Sequence, residues 1–173
     1  MKRPSITTEG HEFQDKCLEA HNKLRGEHHA KKLQWNTELA ESAKDWAKRV
    51  ADKGYIQHSD STRFGENIMM TEEDEDFSGE EAVQKWAREE ALYDYTNPKW
   101  QKGTSHFTQI IWQSTTEVGI AKVHLESSNK YVIVVHYKPS GNSNKPGDYG
   151  KNVHSSSEIN GNDTGTGFSN LDG

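Results

Sequence analysis

The chain has 173 residues, enough for one domain with a proper core and too few to argue for two. Apolar residues make up 31% and charged residues 28%, so the core must be economical and draw on the 5 Trp, 6 Tyr and 5 Phe. A formal net charge of -6 repels phosphate backbones and anionic membranes, which argues against nucleic acid as a partner.

No run approaches the roughly 18 apolar residues of a membrane span. The first thirty residues hold no continuous apolar segment and no Gly follows Met1, so neither a secretory signal nor a myristoyl anchor is expected. Cys17 is the only cysteine, which excludes an intramolecular disulfide and suggests a reducing, intracellular compartment.

In chain order, residues 1–10 read as a flexible arm. The spacing of Phe13, Cys17, Ala20 or His21, and Leu24 predicts a helix over 11–28. Asn36 is a favoured N-cap, and Leu39, Ala43, Trp46 and Val50 follow as one stripe; Gly54 stands where that helix should stop. Residues 63–70 read as a short strand, and the acidic run over 72–76 as a solvated loop. Ser78 can cap a third helix over 79–95, with Ala82, Val83, Trp86 and Tyr93 on its buried side. A short helix over 105–113 precedes two strands, 118–125 and 131–137, joined by a hairpin turn at 127–130. From 143 to 173 the chain is rich in Gly, Ser and Asn. Its first part could lie along the domain, and its end, from about Ser155, is expected to be disordered. Helices, a strand, a helix and a hairpin are most economically buried as an α/β fold, a three-layer α-β-α sandwich with a small sheet covered on both faces.

Two places carry chemistry. On the third helix, both Glu89 and Glu90 fall within about 60° of the buried face, and a carboxylate there needs a base, a proton or a metal as partner. His106 opens an otherwise apolar segment. A lone histidine there is ordinarily a hydrogen-bonded core residue. His58 follows a helix end and Glu66 sits in a Gly-Glu-Asn triplet; taken singly, both read as structural. The sequence has no His-Glu-x-x-His or Cys-x-x-Cys pattern, so local spacing alone does not define a metal site.

Together these segments are recognisable. Ser105-His106-Phe107-Thr108-Gln109-Ile110-Ile111-Trp112-Gln113-Ser114-Thr115 resembles the first signature of the CAP superfamily: cysteine-rich secretory proteins, antigen 5 and pathogenesis-related 1 proteins. Phe64-Gly65-Glu66-Asn67-Ile68 resembles its Gly-Glu-Asn element, Ala20-His21-Asn22-Lys23-Leu24-Arg25 its first-helix pattern, and His136-Tyr137-Lys138-Pro139-Ser140-Gly141-Asn142 its second signature. Within the superfamily the chain looks most like the Golgi-associated plant pathogenesis-related group. The resemblance implies a domain over 11–142 and a cleft lined by His58, Glu66, Glu89 and His106. Glu89 rather than Glu90 matches, three positions after Trp86. In several relatives the two histidines bind zinc or another divalent cation, which His58 and His106 would do here. His21, Asn22, Arg25 and Asn67 read as structural hydrogen-bonders.

The chain departs from the pattern at Ser105, at Val135 in the place of a usual Cys, and in the acidic segment over 71–78, a poor wall for the sterol that some relatives bind. The expected function is a non-catalytic module whose cleft binds a divalent metal, zinc first, with a lipid or protein ligand possible. The expected location is the cytoplasm or the periphery of Golgi membranes. The alternatives are an intracellular scaffold or homodimer with a structural tetrad, and a metal-assisted hydrolase, for which no nucleophile motif is present.

Overall fold

The structure, a computed structural model, describes residues 5–8 and 10–157. Its strands are β1 (Ile6–Thr8), β2 (Gln34–Trp35), β3 (Gly65–Met70), β4 (Glu117–Leu125) and β5 (Lys130–Lys138). Its helices are α1 (His11–Glu27), α2 (Thr37–Lys53), α3 (Gly79–Ala87), α4 (Ser105–Ile111) and α5 (Asp148–Asn152). The sheet runs β1-β4-β5-β3, antiparallel throughout, with β2 adding a short parallel pairing to β4.

Strand alternation makes the layers. Val132 and Val134 of β5, Ala121 and Val123 of β4 and Ile68 of β3 meet Ala43, Ala47, Val50 and Ala51 of α2 on one face. The intervening Ile120, Ile133, Val135 and Tyr137 meet Phe13, Cys17, Val83, Trp86, Phe107, Ile110 and Ile111 on the other. This is the expected α-β-α sandwich. The small residues of α2 let it approach the sheet closely. A Cβ on Gly119 would lie 2.0 Å from the Ala40 nitrogen and 2.3 Å from the Leu39 carbonyl carbon, so β4 needs glycine there.

The caps of α2 are the residues expected. The Asn36 side chain accepts the Leu39 N–H at 3.0 Å, and Gly54 closes the helix in the left-handed region at φ 82°. Ser78 and Glu81 form a reciprocal capping box at the start of α3.

Four features differ from the sequence reading. The arm is not wholly loose: Ile6–Thr8 pairs with β4 through backbone bonds, and Ile6 is its single apolar residue packed against the α2 side of the core, too little to show as a periodic pattern. The third helix ends at Ala87 and tightens into a 3-10 turn over Arg88–Leu92, eight residues short of the expected Tyr95 when counted from Ala87. The domain continues past 142, because α5 brings Tyr149 and Val153 into the core. The acidic run is a loop, but a stapled one: Asp74 exchanges hydrogen bonds with Asn129, and Asp76 pairs with the buried Lys122. The expected disorder near the C-terminus falls mostly on residues 158–173, outside the described residues.

Candidate functional site

The expected four residues form two His–Glu pairs. His58 lies between α2 and β3, and Glu66 is the second residue of β3; His58 Nδ1 is 2.9 Å from Glu66 Oε1, which also accepts the Ser59 N–H at 2.8 Å. Glu89 lies on the 3-10 turn and His106 in the first turn of α4; His106 Nδ1 is 2.7 Å from Glu89 Oε2. Glu89 Oε1 accepts the Phe107 N–H at 3.0 Å, and the His106 ring stacks on Trp86 with planes 11° apart.

Strand β3 joins the pairs. Glu66 and Asn67 are consecutive, so their side chains leave on opposite sides. Glu66 points to the α2 side. Asn67 points to the other, where its amide donates to the His106 carbonyl at 3.1 Å and to the Tyr137 hydroxyl at 3.2 Å. Among the described residues, no three His, Cys, Asp or Glu side chains are grouped to hold one metal ion.

The electrostatics follow from these contacts. Burial alone would push the Glu66 carboxyl up, but hydrogen bonds from His136, His58 and Ser59 outweigh it and hold the carboxyl well below the usual carboxylate range. The hydrogen bond to Glu66 raises the pKa of His58 against a smaller effect of burial.

The remaining signature residues hold the frame. His21 is fully buried, between the Cys17 carbonyl at 2.8 Å and the Tyr137 hydroxyl at 2.7 Å; burial lowers its pKa to about 4. Arg25 donates to the carbonyls of Lys31, Ile110, Trp112 and Thr115, and the Asn22 side chain bonds both the N–H and the carbonyl of Leu33. Glu90 turns away from the pairs and accepts from the Tyr95 hydroxyl.

Sequence reasoning missed two residues of this network, His136 and Ser42. His136, buried on β5, lies directly across from Glu66, with Nε2 2.7 Å from Glu66 Oε2. Its Nδ1 is 2.7 Å from the Ser42 hydroxyl of α2. The available signal was alternation: 66 and 68 on β3, and 132, 134 and 136 on β5, share the α2 face. Pairing them needs a register that neither segment carries alone.

Comparison with known proteins agrees with the motifs. The family model described as "CAP: Cysteine-rich secretory protein family" matches residues 18–137. The chain belongs to the CAP family. Golgi-associated plant pathogenesis-related protein 1 of Homo sapiens is 30% identical over 145 residues, covering 82% of this chain and 92% of that protein. "Repressed by EFG1 protein 1" of Candida albicans is 34% identical over 133 residues, covering 76% of this chain but only 47% of that longer protein. Among solved CAP structures, one titled "Crystal structure of NaASP2 with Zn2+" matches with a TM-score of 0.61 and 26% identity, over 78% of this chain and 83% of its own. BmVAL-1 matches in fold with a TM-score of 0.66 at 22% identity, over 84% of each chain.

Proposed function

We propose that this CAP domain is a non-catalytic binding module that holds a divalent cation, zinc first, through Nε2 of His58 and of His106. One observation carries the reading: both imidazoles have Nδ1 against a carboxylate, Glu66 or Glu89. An N–H donated from Nδ1 fixes the tautomer whose lone pair sits on Nε2, which is how carboxylates orient metal-binding histidines. Zinc accepts two imidazoles, with water or other oxygen ligands completing a tetrahedral shell. A similar solved structure whose title names Zn2+ supports the choice of ion.

The chain's own residues supply binding rather than turnover. Ser42, His136 and Glu66 stand in series like a nucleophile, base and orienter. However, the Ser42 hydroxyl is also 2.9 Å from the Leu39 carbonyl, a pure acceptor that competes with His136 Nδ1 for its one proton. A lone cysteine that is buried, with its thiol pKa pushed up by burial, suits an intracellular protein that needs no disulfide.

Calorimetric titration of zinc at pH 7.5 tests this. Heat from the native chain that disappears in a His58→Ala, His106→Ala double variant is the expected result. No heat at tens of micromolar zinc, or undiminished binding by the variant, rejects it. Neither protein should turn over general peptide or ester substrates.

A second reading concerns an apolar ligand. A cavity of about 370 Å³ lies between α1 and α3, floored by Ala20, Leu24, Val83 and Ala87 and rimmed by Lys16 and Lys23 together with Glu19, Glu27 and Glu80. An acyl chain with an uncharged head suits that apolar floor and mixed-charge rim, which carries more carboxylates than lysines. Displacement of a fluorescent monoacylglycerol, abolished by Ala87→Trp, which fills the groove from its part-buried rim, is the expected outcome; equal binding by the variant removes this reading.

A further inference from the structure

Glu66 is the buried hinge between two histidines, and only His58 reaches solvent. The Glu66 side chain is 7% exposed and His58 64%, while His136 is 1% exposed beneath them. Each Glu66 oxygen has its own partners: Oε1 takes His58 Nδ1 and the Ser59 N–H, and Oε2 takes His136 Nε2. The carboxylate is therefore held at both ends and cannot turn about its last bond without breaking one set. A surface histidine oriented by a carboxylate is only as well placed as that carboxylate.

His136 is itself held from three sides. The Ser42 hydroxyl meets Nδ1 at 2.7 Å. The Phe64 ring stacks on the imidazole with centroids 4.0 Å apart and planes 29° from parallel. The third constraint is the strand pairing, with Glu66 on one neighbour and Gly119 on the other. Both ring nitrogens thus face oxygen atoms, and turning the ring would break both contacts and the stack on Phe64.

We infer that His136 is the positioning residue of the His58 half of the site, and that Ser42–His136–Glu66 is a buried relay fixing which nitrogen of His58 points outward. The inference rests on the zinc reading only for what the outward nitrogen binds. His136 touches no cation; it acts through Glu66.

The test reads the tautomer in the metal-free chain and zinc affinity separately. Ring-nitrogen proton–nitrogen correlation spectra at pH 8 should show native His58 protonated at Nδ1. His136→Leu should release it to a mixture dominated by the Nε2–H form and weaken zinc binding on the order of tenfold. His136→Gln, whose amide can still donate to Glu66, should restore both. A folded His136→Leu chain with the native tautomer and native zinc affinity overturns the inference. Equal effects of Leu and Gln also overturn it, by assigning the role to packing. Should His136→Leu not fold, Ser42→Ala carries the test: it loosens His136 from behind and should shift the tautomer the same way, and no shift overturns the inference. If the native chain binds no zinc, the metal reading fails while the tautomer still decides this one.

Discussion

Glu89 holds His106 and the start of α4 together: one carboxylate oxygen takes the ring Nδ1 of His106 and the other takes the backbone N–H of Phe107. Thr104, at the N-cap position, gives α4 no side-chain cap, so Glu89 supplies the acceptor from the 3-10 turn. Orientation of the ligand and integrity of the helix therefore depend on the same side chain. Glu89→Ala is expected to cost about 1–2 kcal/mol in urea unfolding and to weaken zinc binding ten- to a hundredfold by calorimetry. Glu90→Ala, one residue on, should leave zinc affinity unchanged, because Glu90 serves Tyr95 and His28 instead.

The contact between α2 and β4 sets a second expectation. Gly119→Ala forces a methyl into the backbone of Leu39 and Ala40, which cannot yield without lifting the first turn of α2. The expected loss is about 3 kcal/mol or more in urea unfolding, at the upper end of overpacking effects. Gly26→Ala is the control. It sits in α1 with nothing near its would-be Cβ and should stabilise the chain by up to about 1 kcal/mol.

Acid should weaken the fold through His21. Its pKa falls from 6.5 unfolded to about 4 folded because the ring is buried. Between those values the unfolded chain binds the proton and the folded chain does not, so this contribution is fully present above pH 6.5 and is lost as pH falls toward 4. The full shift corresponds to an effect on the order of 3 kcal/mol. His58, whose pKa is raised, works in the opposite direction, but it is largely exposed and solvent screening keeps its part small. Thermal melts from pH 7 to 4.5 should show a falling midpoint in the native chain and a flatter profile in His21→Gln.

Much of this was legible locally. Asn36, Gly54 and Ser78 cap helices by their own chemistry, and the apolar stripe of α2 and the β-branched run of β5 declare their faces. Strands β1 and β2 were not legible because three- and two-residue pairings at a sheet edge need backbone bonds and little burial. The 3-10 turn after Ala87 was hidden because its residues are ordinary helix formers, and the packing that tightens it is not in that segment. The two Glu–His pairs entered through resemblance rather than spacing. Glu66 and His136 are 70 residues apart and meet only through the β3–β5 register.

Lys122 should govern the acidic loop. Its ammonium bonds Asp76 and the Phe77 carbonyl and lies over the rings of Phe13 and Tyr131, at 4.7 and 4.4 Å from their centroids. Lys122→Met keeps the packing and removes the staple. Amide hydrogen exchange over residues 72–78 should accelerate in the variant, while global stability changes by less than about 1 kcal/mol, since an apolar replacement also removes the cost of burying the charge.

The central claim, that His58 and His106 present Nε2 to one cation, is tested most directly by X-ray absorption at the zinc edge of the chain loaded with one equivalent of zinc. The expected spectrum shows two imidazole ligands with Zn–N near roughly 2.0–2.1 Å and oxygen for the rest, and loses the imidazole signal in the His58→Ala, His106→Ala variant. A sulfur ligand, an all-oxygen shell, or imidazole scattering unchanged in that variant would contradict it.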